Sequence, residues 1–361
     1  MNRKITIVIP YHNERESVEF TLEQVGAQTL PAETAILVNS SSTDHTFDVI
    51  NNWIGENQHR FQTKFLNVFE NTDNPASSKN VGIRLASTEW LAFMDCGQNF
   101  DADWLAKQAR FLDGNDVNLV SGVVFLVGEN WVDRCAVAQT YGYKIYRPCL
   151  PTTLLKRDIF SKTGLFLEGR RSGYDVAWLI KLKKMGISRG INENVVIHYI
   201  GINFASNLTQ LFKKSILYAK PSSSIEGYWT PYLYVVGFIV SLGALAYSTK
   251  VGIVLFLAYL ATRALLVPIL KSKNAKLFRE HPFQALLGLG IVGMVLDLGK
   301  LIGTLQGIFH YHITTVPPAK MQAPDGLPAI KMDSEVAAES SNQCQLPGQD
   351  KREPVEQQKR N

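Results

Sequence analysis

The stretch ITIVIP, residues 5–10, followed by Tyr-His-Asn-Glu at residues 11–14, decides the fold. A second apolar run, AILV at residues 35–38, leads into the polar run NSSSTD at residues 39–44. Apolar residues recur at helical spacing between the two runs, over about residues 14–27. A strand, a helix and a second strand predict the opening of a nucleotide-binding α/β sheet. Both polar runs follow strands, and such sheets bind ligands at the carboxyl ends of their strands.

The alternation of strands and helices continues along the chain to about residue 219. It predicts a mostly parallel sheet with helices on both faces. The further predicted strands cover about residues 64–70, 90–94, 118–127 and 194–199. One further helix is predicted after Asp44, and others at about residues 77–86, 103–112, 130–145, 175–185 and 206–219.

Six motifs, taken in order and spacing, resemble the family-2 glycosyltransferases of the membrane-anchored bacterial type. The resemblance covers roughly residues 4–220. It implies a GT-A fold and transfer of a sugar from a nucleotide-sugar donor. The motifs are V-I-P-x-x-N-E at 8–14, V-N-x-x-S-T-D at 38–44, NPASSKNVGI at 74–83, WLAFMD at 90–95, GYDVAWLIKLKKMG at 173–186 and VVIHY at 195–199.

The resemblance implies a donor site at the ends of the first two strands. Pro10 and Tyr11 would bring backbone to the ligand, Glu14 would accept hydrogen bonds from the ribose, and Asn39 would contact the base. The family more often has Asp where Asn39 stands. Lys79 takes the place of the arginine in R-N-x-G and would face the diphosphate. Each of the two charged residues has an alternative that stays open. For Glu14 it is an acid that is merely favoured at a helix start. For Lys79 it is a solvated surface lysine.

A divalent cation, Mn²⁺ or Mg²⁺, is the cofactor that the resemblance implies. The family usually carries D-x-D at the end of the fourth strand, and this chain has Asp95-Cys96-Gly97. His198 matches a position where relatives often have a histidine, so it is predicted as a second ligand. Such cations prefer several oxygen ligands, and a structural role for His198 stays open.

The resemblance also places the general base of an inverting reaction at Asp175. Relatives carry E-D here, and Tyr174 replaces the glutamate. The positive end of the helix dipole favours the ionised carboxylate that a base must be. A purely capping role for Asp175 is the alternative. Arg170 and Arg171, just before this motif, are candidate contacts for an anionic acceptor.

The later part of the chain is apolar enough to enter a membrane. Hydrophobic residues make up 46% of the whole sequence, and they concentrate in segments of about residues 228–249, 251–270 and 283–309. The first is long enough to cross about 30 Å of hydrocarbon. The third contains Asp297 and Lys300, one helical turn apart, which could pair. It could span the membrane or lie at its interface, and buried core helices are the alternative for all three.

Charge and composition suggest the surroundings of the chain. The net charge is +5, and lysines and arginines flank the apolar segments, which fits anionic lipids at the cytoplasmic face better than nucleic acid. The N-terminus has no signal-peptide pattern, and the four cysteines lack metal-site spacing. The predicted organisation is a GT-A domain at 1–220, a multi-pass membrane region at 221–312 and a disordered polar tail at 313–361.

Together these observations predict an inverting glycosyltransferase whose catalytic domain lies in the cytoplasm at the membrane. The predicted acceptor is a lipid-linked or membrane-associated glycan. A non-catalytic relative that binds nucleotide sugar or lipid is the main alternative, because aspartates common in the family are missing at Ser40 and Gly97. A processive synthase ranks lower, since no Q-x-x-R-W motif occurs after Asp175. A dinucleotide-dependent oxidoreductase lacks G-x-G-x-x-G.

Overall fold

The structure, a computed structural model, describes residues 3–70, 74–126, 128–140, 144–145, 149–169, 172–199, 205–272 and 275–313. Arg170, Arg171 and nearly all of the predicted polar tail therefore lie outside the described residues. The strands are β1 (Ile5–Tyr11), β2 (Thr34–Asn39), β3 (Lys64–Val68), β4 (Trp90–Phe93), β5 (Leu119–Leu126), β6 (Lys144–Ile145), β7 (Leu154–Lys156) and β8 (Arg189–Tyr199).

The helices of the first part of the chain alternate with these strands. They are α1 (Val18–Gly26), α2 (Thr46–Asn57), α3 (Pro75–Leu85), α4 (Trp104–Asp113), α5 (Trp131–Gln139), α6 (Ile159–Thr163), α7 (Tyr174–Lys184) and α8 (Leu208–Ala219). The later helices are α9 (Thr230–Tyr247), α10 (Thr249–Ala261), α11 (Val267–Ser272), α12 (Ala275–Glu280) and α13 (Leu289–Ile308).

One sheet organises the first part, with the strand order β3-β2-β1-β4-β7-β5-β6 and with β8 paired to β5. The pairings β1–β2, β2–β3, β1–β4 and β5–β8 are parallel, whereas β7 is antiparallel to both β4 and β5. The mostly parallel GT-A-type sheet predicted from the sequence is therefore confirmed. The carboxyl ends of β1, β2 and β4 lie at one edge of this sheet.

Alternate residues of β1 explain why the sheet has helices on both faces. Ile7 and Ile9 pack in a core cluster that includes Leu22 of α1, whereas Val8 packs in a second cluster that includes Ile83 of α3. Every residue of β1 is buried, as expected for a central parallel strand covered on both sides. The continuous apolar run ITIVIP is the sequence signature of that position.

Among the described residues of the later part, three helical stretches are long and apolar enough to cross a membrane: 230–247, 249–270 and 284–311. They fall close to the predicted segments, and π-helical turns at 262–266 and 284–288 interrupt the second and begin the third. The three stretches differ in burial. Within the protein, 6% of the first and 11% of the second are buried, compared with 44% of the third. The division of the chain at residue 220 stays a prediction.

Candidate active site

Two loops at the carboxyl edge of the sheet bind each other closely. Asn13, after β1, has a left-handed backbone (φ 56°), and its side-chain Oδ1 accepts a hydrogen bond from the Thr43 backbone N–H at 2.8 Å. The Ser42 hydroxyl in turn accepts one from the Asn13 N–H at 3.1 Å. Asn39, at the end of β2, accepts from the Ser42 N–H at 2.9 Å. These asparagines therefore build the rim of the edge where a donor nucleotide is expected.

Asp44 fixes the start of α2 within this rim. Its carboxylate accepts from the Thr46 N–H and from the Arg15 N–H, each at 3.1 Å. The Thr46 hydroxyl then accepts from the Glu14 N–H at 3.0 Å, which sets the backbone of the predicted donor-binding glutamate. Asp44 therefore holds the first turn of the helix that the sequence predicts after it.

Glu14 lies beside the end of β4. Its carboxylate accepts a short hydrogen bond from the Ser17 hydroxyl, and a Cβ added at Gly97 would lie 3.4 Å from Glu14 Oε2. Burial raises the pKa of Glu14, and the nearby Asp95 carboxylate raises it further. Gly97, where the family usually has the second aspartate of D-x-D, therefore leaves room for the Glu14 carboxylate.

Lys79 extends from α3 to the same place as Glu14, beside the end of β4. The side chain is buried, with 1% of its surface exposed, and its Nζ donates to Asp95 Oδ1 at 2.9 Å. Nζ also lies 5.8 Å from the centre of the Tyr174 ring. Although burial opposes it, the charge of Asp95 raises the pKa of Lys79, so the ammonium stays charged. This position differs from that of a solvated surface lysine.

Tyr174 connects this ion pair to the predicted base. Burial raises the pKa of the Tyr174 hydroxyl to about 12, the Lys79 ammonium lowers it, and the charges of Asp95 and Asp175 raise it. Asp175 is the next residue, half-buried in the first turn of α7. Trp178, one turn on, is buried and donates from Nε1 to Thr163 Oγ1 at 3.0 Å, which holds α7 against α6.

Asn80 is a supporting residue that the sequence reasoning missed. Its amide forms a paired contact with the Phe166 backbone, accepting from the N–H at 2.9 Å and donating to the C=O at 2.9 Å. It also donates to Glu168 Oε1 at 2.7 Å. Asn80 therefore ties α3 to the segment before α7. Its position directly after Lys79 was the available signal.

The predicted residues divide into two groups by position. Pro10 is buried within β1, and the Tyr11 side chain is buried in the core, where its hydroxyl donates to Asn67 Oδ1 at 2.8 Å. His198 is the second-last residue of β8, where its backbone pairs with Phe125 of β5. The other group is Glu14, Asn39, Lys79, Asp95 and Asp175, which side-chain contacts or direct neighbours link to the loops after β1, β2 and β4.

The acidic residues at this edge fit a divalent cation that a donor would help to bind. No group of three His, Cys, Asp or Glu side chains forms a metal site among the described residues. Glu14 and Asp95, when ionised, carry two negative charges against the single positive charge of Lys79. A diphosphate would add more negative charge, so one further cation with oxygen ligands suits the arrangement.

Comparison with known proteins agrees with the fold. Residues 6–168 match the model of glycosyl transferase family 2. Glycosyltransferase AglE of Haloferax volcanii is 23% identical over 60% of this chain and 72% of its own length. Poly(ribitol-phosphate) beta-glucosyltransferase of Bacillus spizizenii is 28% identical over 33% of this chain and 19% of its own length.

A solved structure shares the architecture. The mannosyltransferase PcManGT of Pyrobaculum calidifontis, in complex with GDP-Man and Mn²⁺, aligns over 86% of this chain and 88% of its own, with a TM-score of 0.50 and 17% identity. The fold and the family match define a glycosyltransferase of GT-A fold. The matched region, residues 6–168, is a domain of the glycosyl transferase family 2 type.

Proposed function

We propose that this chain transfers a sugar from a nucleotide-sugar donor to a lipid-linked or membrane-associated glycan acceptor, with inversion, at the cytoplasmic face of a membrane. The observation that carries the proposal is the convergence of Glu14, Lys79, Asp95 and Asp175 at one edge of the sheet. Such an edge is where α/β sheets bind nucleotides. The named relatives, AglE among them, are glycosyltransferases, which supports the reaction class.

In this proposal the donor lies across the ends of β1, β2 and β4. Asn39 and the backbone at Pro10 and Tyr11 border the base, and Glu14 accepts from the ribose hydroxyls. Lys79 supplies fixed positive charge near the diphosphate, from a buried position where water screens it little. A charge held in place before the reaction stabilises a leaving group without reorganisation.

Asp175 is the proposed base that deprotonates the acceptor hydroxyl. A single carboxylate at the acceptor side suits direct displacement, in which the acceptor oxygen attacks the anomeric carbon from the face opposite the leaving diphosphate. The product would then have the opposite anomeric configuration from the donor. Proton NMR of the product formed from a defined donor tests this inversion directly.

Asp95 is the residue that would hold a Mn²⁺ or Mg²⁺ ion, with His198 as the second predicted ligand. When bound, the cation would neutralise charge on the diphosphate. The Mn²⁺ complex of PcManGT supports the choice of ion. We expect EDTA to stop transfer and added Mn²⁺ to restore it. Transfer that continues in metal-free buffer would contradict this assignment.

The membrane part of the proposal depends on the three apolar stretches and the basic residues around them. They support membrane lipids as partners and an acceptor presented at the lipid surface. Purified full chain in detergent, given UDP-, GDP- and dTDP-sugars, should release nucleoside diphosphate faster when a lipid-phosphate-linked glycan is added. A water-soluble glycan that works equally well would remove the lipid requirement.

Donor binding without any turnover is the outcome that would favour the second candidate. In a non-catalytic relative, the Lys79–Asp95 ion pair would serve only to hold the loop in place. Thermal shift with the same sugars measures binding separately from turnover. If a donor raises the melting temperature but releases no nucleoside diphosphate with any acceptor tested, the result would support the non-catalytic candidate.

A further inference from the structure

The third apolar helix lies along the catalytic domain rather than apart from it. Three glycines of α13 come at intervals of four residues, and each meets α8 or the turn after it. A Cβ at Gly299 would lie 2.6 Å from Ser215 Cβ, and a Cβ at Gly303 would clash with the Ile216 carbonyl oxygen. Gly307 meets the carbonyl oxygen of Lys220 in the same way. The two helices therefore run side by side with their backbones in close contact.

The first half of α13 has a similar contact with α5. A Cβ at Gly288, just before α13, would lie 2.9 Å from Cys135 Sγ, and one at Gly293 would lie 3.2 Å from Gln139 Nε2. The buried Gln139 side chain donates to the Leu289 carbonyl oxygen at 2.8 Å and also to the Arg263 carbonyl oxygen. The catalytic domain thus covers one face of α13 from end to end.

The opposite face of α13 is apolar and exposed. Ile291, Leu298 and Leu305 have 42%, 52% and 45% of their surfaces exposed, and their spacing of seven residues places them on one stripe. Leu287 and Phe309 extend the stripe at both ends, with 68% and 59% exposed. A helix with protein on one face and an apolar stripe on the other has the arrangement of a helix lying in a membrane interface.

Charges beside α13 exclude a position across the hydrocarbon. Lys213 is exposed and Lys214 half-buried on α8, alongside the glycine stripe of α13. If α13 crossed the bilayer, α8 would accompany it over about 12 Å and carry these lysines into lipid. On α13 itself, Asp297 accepts a hydrogen bond from Arg263 Nη2 at 3.0 Å. Lys300 Nζ donates a hydrogen bond to the Tyr234 hydroxyl at 3.1 Å rather than pairing with Asp297.

The hairpin of α9 and α10 is the part that projects from this assembly. Most of residues 235–258 are exposed and apolar, with Lys250 next to the tip. Among the described residues, the hairpin makes polar side-chain contacts with α13 through Tyr234 and Tyr259 near the hairpin base, and Arg263 just after the hairpin adds another. The hairpin therefore leaves the protein at the middle of α13, with apolar surface on all sides.

We propose that the hairpin 230–261 is the only part of the described chain that inserts into the hydrocarbon beyond the interface, and that α13 lies flat at the lipid surface. Its stripe would contact acyl chains, and the lysines of α8 would meet anionic headgroups. This inference rests on the membrane association in the proposed function, but its tests measure topology and depth, whereas the proposed function is tested by transfer.

The first test places tags at both ends of the full chain in a bacterial inner membrane. Protease is added to intact spheroplasts and to inverted vesicles. Both tags should be protected in spheroplasts and digested in inverted vesicles, because a hairpin returns the chain to the side it left. A C-terminal tag digested in spheroplasts, with the N-terminal tag protected, would show that α13 crosses. A control chain with an added Leu/Ala span of about 20 residues before the C-terminal tag should move that tag across.

The second test measures depth along α13. A fluorophore is attached to cysteine in Ile291→Cys, Leu298→Cys and Leu305→Cys variants in liposomes of phosphatidylcholine and phosphatidylglycerol. Lipids brominated at different depths should quench all three equally for a flat helix. A spanning helix would separate the first and last by about 21 Å along the membrane normal. Graded depths, or disulfide-linked dimers that show a second copy on the stripe, would overturn the proposal.

Discussion

At the scale of single residues, the ion pair of Lys79 and Asp95 determines what the edge of the sheet can do. A lysine with 1% exposure needs a partner, because an unpaired ammonium is costly away from water. Asp95 supplies that partner at 2.9 Å, and the centre of the Tyr174 ring lies 5.8 Å from Lys79 Nζ. Tyr174, the residue before Asp175, therefore adjoins both the ion pair and the proposed base.

Asp175→Asn should lower turnover by about 10³-fold, since an amide keeps the helix-start geometry but cannot accept the acceptor proton. Donor affinity should stay within a few-fold of wild type. Initial rates at saturating donor, with donor binding measured separately, check both statements. Asp158→Asn, an exposed aspartate at the start of α6, is the matched control and should leave both unchanged. Wild-type turnover in Asp175→Asn would remove this residue from the role of base.

Glu14→Gln should stabilise the donor-free protein at neutral and alkaline pH. The pKa of Glu14 is raised in the folded chain, so its ionised form costs stability, and that cost appears as pH rises through the folded pKa. The variant should melt roughly 2 °C higher than wild type at about pH 8, with no difference at about pH 4. Donor affinity should fall in the same variant. A constant difference in melting temperature across pH would contradict the electrostatic cause.

At the scale of elements, Asn80 shows how one helix positions the base. α3 carries Lys79 toward Asp95 and Asn80 toward Phe166 and Glu168, so two consecutive residues hold both sides of the site. Asn80→Ala should leave the segment before α7 without its paired amide contact. We expect turnover to fall by roughly tenfold through loss of positioning, with donor affinity nearly unchanged. Equal losses in turnover and in donor affinity would indicate a general structural effect.

The sequence predicted the elements that follow a clear period. The boundaries of β1, β2, β4 and α7 lie within one residue of the predicted ones, because continuous apolar runs and helical spacing mark them. β7 was not predicted, because a strand of three residues is too short to show a periodic pattern of apolar residues. The helix predicted at 130–145 is wrong in its second half: α5 ends at Gln139, and Lys144 and Ile145 form β6.

The site was less predictable than the fold, for a physical reason. Lys79 has the composition of a surface residue, and its burial depends on Asp95 arriving from β4, which no local pattern reveals. The same holds for Glu14, whose place beside Gly97 depends on how two loops meet. Motif order identified which residues to consider, and only the three-dimensional contacts show which of them lie together.

Because α13 and α8 are in close contact, adding one methyl group at Gly303 should lower the stability of the protein strongly. In Gly303→Ala the new Cβ would meet the Ile216 carbonyl oxygen, which is backbone and cannot move away. We expect a loss of about 1–3 kcal/mol in the free energy of unfolding. Gly237→Ala, on α9, has nothing within 4 Å of the added Cβ and is the matched control. Denaturation in detergent compares the two, and equal stability would show that the helices are not in close contact.

At the scale of the whole molecule, helices of the glycosyltransferase-like part and the third apolar helix share a core. Leu211 of α8, Ala136 of α5 and Val292 of α13 belong to one buried cluster. The sequence suggested that the soluble part could end at about residue 220, but removal of α13 would expose this cluster to water. A truncation there should therefore aggregate. The same apolar composition suits burial in protein and burial in lipid, so the sequence alone left the role of the third segment open.

Removal of the hairpin alone gives the sharpest prediction about the whole chain. Replacing residues 236–257 with a short Gly/Ser linker keeps Tyr234, Tyr259 and α13, and a linker of about six residues can join two neighbouring helices. If α13 lies flat at the lipid surface, alkaline carbonate should release this variant from membranes, whereas the full chain should need detergent. Deleting residues 330–351 of the tail, the matched control for length, should leave the chain resistant to carbonate. A hairpin-less variant that still needs detergent would show that α13 itself is inserted.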